Sequence, residues 1–277
     1  MLRVLMATLA MSLVSPVGGR AEFPPEAPAE EHAAVKAAVP VYDREAEREL
    51  LTLMNQDRQR GGAPPLELDE ALTSAARAHA LVMAGQQQLS HQLDGEPEVM
   101  QRLRNAGARR VIRASENVAY DDCVGDAEEH LMGSAPHRRN LLDARFNIVG
   151  LAAIWTGERL WVVQDFGERA REYSRAEMER LVENGIRSQR GLAGLHDLAR
   201  ENDPAMGEVA CEMAQQGKLQ TARILGMGRN RGVLAYAEAR PEEFPENHVV
   251  ADPRLHKFSV GSCGDNAGRV WVAILLH

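Results

Sequence analysis

Asn55-Gln-Asp-Arg58, Pro65-Leu-Glu-Leu68, Ala75-Ala-Arg-Ala-His79-Ala80, Leu89-Ser-His91, Glu116-Asn117-Val118-Ala119, Ser134-Ala-Pro-His137-Arg138, Ile148-Val-Gly150 and Trp161-Val-Val-Gln-Asp-Phe166 follow one another along the chain. The residues around these pieces give each a local structure. Helical periodicity begins near Arg44, with Leu50, Leu51, Leu53 and Met54 on one apolar face and Gly61-Gly62 as the stop. Pro64-Pro65 holds the next stretch extended. Asp69 is a good N-cap for a second helix through Leu72, Ala75, Ala76, His79, Leu81, Val82 and Met83. A variable region runs on to Ser115. Residues 126–132 read as a third helix, and Ser134 with Pro136 behind it opens a short fourth. Residues 148–154 and 160–166 read as paired strands around Thr156-Gly157-Glu158.

In order and spacing these pieces resemble the CAP superfamily (cysteine-rich secretory protein, antigen 5 and pathogenesis-related proteins) in its bacterial form, over residues 44–168. The resemblance implies an α+β fold, an α-β-α sandwich. It also implies that His91, Glu116 and His137 meet in one cleft, although the chain separates them widely. On that basis His91 and His137 are the candidate ligands for zinc or another divalent cation, since two neutral imidazoles with water and a carboxylate suit such an ion. Glu116 would orient a histidine or hold a metal-bound water. One family feature is missing. The second glutamate of the animal and plant forms has no match, and Ser134 stands nearest to its place. A cation site here is therefore expected to be weak and exchangeable. Each residue also has a plainer reading: His91 as a loop histidine with one hydrogen bond, His137 as a helix-start residue, and Glu116 as an acceptor for backbone N–H groups. The acidic group Asp121, Asp122, Asp126, Glu128 and Glu129 lacks calcium-loop spacing and reads as a solvated loop and helix start. His79 reads as a packed residue, not a ligand.

The C-terminal part repeats the plan. Gln59-Arg60-Gly61 recurs as Gln189-Arg190-Gly191, and Met83-Ala84 as Met213-Ala214, both at an offset of 130. Val118-Ala-Tyr120 looks like Leu234-Ala-Tyr236, Ile148-Val-Gly150 like Ser259-Val-Gly261, and Arg159-Leu-Trp161 like Arg269-Val-Trp271. Residues 172–277 thus read as a second, shorter and degenerate copy; two unrelated α+β domains with similar grammar are the alternative. In the repeat register Cys211 falls on the apolar face of the second helix, at the place of Leu81. Cys263 falls on the first hairpin strand, at the place of Ala152. A Cys211–Cys263 disulfide is expected, with two separate buried thiols as the alternative. The cleft residues are not repeated: Thr221 stands for His91, Gly232 for Glu116, and only His248 falls near the place of His137.

At the N-terminus, Arg3 precedes an apolar run over residues 4–14, and Gly19-Arg-Ala21 supplies small residues at a cleavage position. Residues 1–21 read as a secretory signal peptide, with an uncleaved anchor as the alternative. Its removal takes Arg3 and Arg20 and no acid, so the formal charge moves from −8 to −10. Residues 22–43, with Pro24, Pro25, Pro28 and Pro40, form a Pro/Ala/Glu-rich linker. No basic run offers a footprint for nucleic acid. There is no Gly-x-Ser-x-Gly elbow, phosphate loop or His-Glu-x-x-His helix. The expected protein is secreted or periplasmic, a tandem CAP-like binding module for a lipid, envelope or protein partner, with no stable membrane span after cleavage. A metal-assisted hydrolase with Glu116 as general base, and a purely structural envelope protein, are the competing readings.

Overall fold

The computed structural model describes residues 41–227 and 232–277. The signal peptide and most of the linker expected from the sequence lie outside the described residues. The first lobe runs β1 (Val41–Tyr42), α1 (Arg44–Gly61), β2 (Glu67–Leu68), α2 (Glu70–Gln86), α3 (Val99–Asn105), β3 (Val111–Asp121), α4 (Val124–Gly133), α5 (Ala135–Leu142), β4 (Ile148–Trp155) and β5 (Leu160–Arg169). Val41 and Tyr42 are not linker. They pair antiparallel with Trp155 and Ile154, so the folded lobe starts earlier than residue 44.

The caps follow from the sequence. Asp43 accepts the N–H groups of Glu45 and Ala46 at the start of α1, and Gly62 ends that helix in the left-handed conformation. Asp69 accepts the Leu72 N–H at the start of α2. The sheet order is β1-β4-β5-β3, with β2 parallel to β4, so β3 is an edge strand paired only with β5. Strand alternation divides the core in two. Val149, Leu151, Ala153, Val162 and Phe166 pack with α1, α4 and α5, while Ala152, Ile154, Trp161 and Val163 pack with α2. The result is the expected α-β-α sandwich. The region that reads as variable up to Ser115 holds α3 and half of β3. Its strand is hidden in the sequence because Arg113, Ser115 and Glu116 interrupt the apolar alternation.

The second lobe runs α6 (Arg175–Leu192), β6 (Ala199–Arg200), α7 (Pro204–Gln216), α8 (Thr221–Leu225), β7 (Gly232–Glu238), a 3₁₀ turn (His248–Ala251), β8 (Lys257–Gly264) and β9 (Val270–Leu276). Its sheet order, β6-β8-β9-β7 with β6 parallel to β8, matches that of the first lobe, and the 3₁₀ turn occupies the place of α4 and α5. Gly150 lies so close to the first turn of α2 that a Cβ would come 2.0 Å from the Leu72 carbonyl carbon. Gly261 lies on α7 in the same way, 2.1 Å from that of Met206.

The register between the lobes is not the constant one expected. Buried Arg58 donates to the carbonyls of Pro64 (2.6 Å), Leu141 (2.7 Å), Asp143 (3.1 Å) and Phe146 (2.9 Å). Arg190 donates to those of His196 (2.7 Å), Val250 (2.8 Å) and Asp252 (3.1 Å). Arg190 therefore takes the place of Arg58, not of Arg60. Helix α7 has 13 residues against 17 in α2, one turn fewer. The match of Val118-Ala-Tyr120 to Leu234-Ala-Tyr236 is also corrected. Val118 and Tyr120 lie on the α2 side, where Tyr120 packs on Trp161. Leu234 and Tyr236 face the opposite side, with α6. A slip of one residue in a strand reverses every side chain.

Cys211 on α7 and Cys263 on β8 form a disulfide, their Cα atoms 4.9 Å apart, and Cys123 is a free, exposed thiol. The one-turn difference between the helices keeps Cys211 on the sheet-facing side whichever end is used for counting.

Candidate functional site

The site is built on β3. Alternation sends Glu116 to the α2 side of the sheet, beside the start of α3 and the loop that follows α2. Glu116 is 6 % exposed, and its carboxylate is held at both oxygens. His91 Nδ1 meets Oε1 at 2.9 Å, and the Arg102 guanidinium of α3 donates to Oε2. Arg102 also donates to the carbonyls of His91 (2.9 Å) and Pro97 (3.2 Å), so it fixes the histidine loop and the carboxylate together. Such a charged, hydrogen-bonded pair is the arrangement that lets a carboxylate stay buried. The His91 ring itself is 61 % exposed. Its hydrogen bond to Glu116 raises its pKa above the ordinary histidine value, against the lowering effects of burial and Arg102.

His79 lies beneath this group, fully buried on α2. Its Nδ1 faces the Glu96 carboxylate at 3.0 Å and its Nε2 the Ser90 carbonyl at 2.9 Å, with Glu116 Oε2 at 3.7 Å. Acceptors at both nitrogens make it a structural tie between α2 and the loop, the packed role expected from the sequence. Asp165 of β5 stands directly across from Glu116 in the strand pairing and is completely buried. Neither of its oxygens has a hydrogen-bond partner among the described residues. Burial first, and the charge of Glu116 second, push its pKa well above the usual carboxylate range.

His137, half-buried on α5, approaches from around the β3 edge. Burial, and then the charge of His91, lower its pKa. Its carbonyl accepts from Asn117 Nδ2 at 3.2 Å. Asn117 and Gln164 point to the other face of the sheet from Glu116 and form a chain. Asn140 Nδ2 donates to Asn117 Oδ1 (2.9 Å) and to the Glu116 carbonyl (3.2 Å), Asn117 Nδ2 to Gln164 Oε1 (3.0 Å), and Gln164 Nε2 to Glu128 Oε2 (2.7 Å). Glu128 is thus not part of a solvated acidic face. It is 3 % exposed, and burial pushes its carboxyl up to about 7. The reason is helix phase: Glu128 shares the inner face of α4 with Val124, Ala127 and Leu131, while Glu129 faces out.

A cleft of about 400 Å³ opens over these groups, bordered by His91, Gln92, Glu98, Ser115, Glu116 and Asn140. The structure brings His91 and Glu116 into contact, whereas His137 is not among the residues that border the cleft. Ser134 stands at the N-cap position of α5, and its side chain makes no capping hydrogen bond there. Among the described residues no three His, Cys, Asp or Glu side chains gather as a metal cluster. Both Glu116 oxygens are committed, one to His91 and one to Arg102. Sequence reasoning missed Arg102, Asp165, Gln164, Asn117 and Asn140. The one available signal was Asp165 itself, an acid inside the apolar strand Trp161–Phe166, where an acid is rarely left without a purpose.

In the second lobe the α7-facing residues of β7 are Val233, Ala235 and Ala237. Gly232, expected at the place of Glu116, lies on the other face, where a Cβ would meet Val249. His248 is exposed on the 3₁₀ turn.

The model of the cysteine-rich secretory protein (CAP) family matches residues 51–166. The uncharacterized protein YkwD of Bacillus subtilis is 28% identical over 123 residues, 44% of this chain and 47% of the relative, so the chain spans about half the length of the curated relative it matches. Among solved structures, an outer surface protein of Borrelia burgdorferi is 19% identical with a TM-score of 0.44, covering 47% of this chain and 99% of that one. An extracellular SCP-domain protein of Bacillus anthracis is 24% identical with a TM-score of 0.41, covering 45% and 41%. Both scores are low, and the assignment rests on the sequence matches and on the order of elements in the first lobe: residues 51–166 are a CAP domain of the bacterial type.

Proposed function

We propose that this chain is an exported binding module of the cell envelope or the extracellular space, with its ligand site in the cleft over His91, Glu116 and Asn140. The observation that carries the reading is an exposed imidazole on a buried charged support: His91 is solvent-facing, while Glu116 and Arg102 beneath it are buried and paired with each other. A polar anchor at a concave surface serves recognition. Hydrolysis draws less support, because both oxygens of Glu116, its candidate base, are already engaged by His91 and Arg102. Two relatives are named as an extracellular protein and an outer surface protein. Among the described residues no helix is long and apolar enough to cross a membrane. The second lobe, with the same strand order and no counterpart of Glu116, is read as a degenerate copy over residues 172–277 that binds nothing at the matching place.

The test is co-sedimentation of the mature protein with purified cell-wall sacculi and, separately, with phospholipid vesicles. Binding to one of them that is lost in His91→Ala with Asn140→Ala, at unchanged thermal stability, is the expected result. Equal binding by the variant would move the site away from the cleft. A divalent cation held by His91 and His137 is the second part of the proposal. Calorimetric zinc titration should show weak binding that fades as pH falls through the ordinary histidine range near 6.5 and that the double histidine variant lacks.

A further inference from the structure

The lobes touch at the end of β3 that leads into the site. Arg110, in the left-handed conformation just before β3, donates its N–H to the Asn266 carbonyl at 2.9 Å, and its own carbonyl accepts from Ala170 at 2.8 Å. Asn266 and Gly268 belong to the turn between β8 and β9. A Cβ on Gly268 would come 2.9 Å from that of Ala170 and 3.1 Å from the Arg110 Cα, so the two backbones meet with no room for a side chain. A second contact involves the other strand of the pair. Glu168 on β5, largely buried, accepts from Arg113 of β3 at 3.1 Å and pairs with Arg240 of the second lobe, which also holds Glu243 at 2.9 Å.

The turn that makes the first contact is stiff. The Asp265 carboxylate accepts the N–H groups of Ala267 and Arg269 and the Arg269 Nε, all at 2.9 Å, and the Trp271 Nε1 at 2.8 Å. At its base Cys263 is bonded to Cys211 of α7. The strand it meets is the less secure partner. β3 is a sheet edge hydrogen-bonded on one side only, and its register is irregular between Val111 and Arg113. An edge held on one side opens more readily than an inner strand.

We propose that the second lobe is an intramolecular clamp: the turn 265–269, braced by Cys211–Cys263 and Asp265, acts with Arg240 to fix the strand that carries Glu116. Gly268 and Arg240 are then positioning residues for a cleft they do not touch. This gives the second lobe a function in its contact with the first. The importance of the clamp rests on the cleft being the working site, but its existence does not.

Hydrogen exchange of the mature chain tests it without any ligand, so its failure is separate from failure of the binding reading. In Gly268→Ala and Arg240→Ala, the amides of residues 111–121 that bond to β5 should exchange about tenfold faster, with α1 and α2 unchanged. Arg240→Lys should restore most of the protection. Arg187→Ala, which removes exposed ion pairs to Asp197 and Glu183 elsewhere on the lobe, should have no effect. The Cys211→Ser/Cys263→Ser variant should also loosen β3, and if its second lobe unfolds it becomes the full removal of the clamp. Unchanged β3 exchange in these variants, or a rise shared equally by the whole first lobe, overturns the proposal.

Discussion

The α2-facing side of the first sheet holds Glu116 and Asp165 across from one another, with Arg102, His79 and His91 closing over them. The α7-facing side of the second holds Val233, Ala235, Ala237, Trp271 and Ala273, with a disulfide tying sheet to helix. Helix, strand and glycine contacts share one frame, with Arg58 and Arg190 under matching loops and Gly150 and Gly261 on matching helix starts. The lobes differ in what fills the frame. Buried charges need partners that must all be present together, which gives rigidity at a site but little net stability. An apolar layer with a crosslink needs no such set and suits a lobe that acts as a support.

The comparison breaks first if the charged cluster is not a unit. Arg102→Ala strips a buried carboxylate of its partner and should cost about 3–5 kcal/mol in urea unfolding of the first lobe. A loss below about 1 kcal/mol would place this pair with ordinary surface ion pairs. The second lobe should depend on its crosslink instead. Cys211→Ser/Cys263→Ser opens a loop with a sequence separation of 52 and should cost about 4 kcal/mol in the chain-entropy model, read as a lower second-lobe transition in calorimetry. A smaller loss would mean that the apolar layer suffices.

Glu128 sharpens the contrast through pH. Its folded pKa is raised from 4.5 to about 7, so the folded state holds the proton more tightly than the unfolded one. The stabilising contribution is full below pH 4.5 and is lost as pH rises to about 7. Glu128→Gln keeps an acceptor for Gln164 and removes the titration. It should match the wild type near pH 4.5 and be more stable by roughly 3 kcal/mol at pH 8, measured by denaturation at both values. A variant that is less stable at pH 8 would show that the ionised form has a partner. The smallest effect is spectroscopic. By NMR His91 should titrate above 6.5 and His137 below it, so the pair holds one proton between their midpoints. The contribution of His91 to stability is present below 6.5 and lost as pH rises through its folded value, and that of His137 has the opposite sign. Glu116→Gln should return His91 toward 6.5, and an unmoved midpoint would deny the Glu116 hydrogen bond its role.

Helices α1, α2, α4 and α5 could be read in the chain, whereas α3 was hidden in the variable region; Asp69 and Gly62 were legible because a cap or stop acts on groups within a few residues of itself. The hairpin β4–β5 was legible for the same reason, from two apolar runs and a short turn. The meeting of His91 with Glu116 came from the family resemblance, since nothing in a span of 25 residues dictates it. The likeness in strand order between the lobes had its signal in short matching phrases, but those phrases did not give its register. A one-turn deletion leaves a helix face unchanged, whereas a one-residue slip in β7 reverses its faces, and letters alone do not distinguish the two.

By itself the sequence determined four helices and the hairpin of the first lobe, the CAP order of those pieces and the two cysteines available to pair. The tertiary structure decided which acids are buried and which residues hold them. Arg102, Asp165 and Glu128 owe their states to desolvation by helices and strands distant in the chain, and Arg240 reaches Glu168 across 72 residues. Burial and charge pairing depend on three-dimensional distance, and that distance exists only once the two sheets have formed.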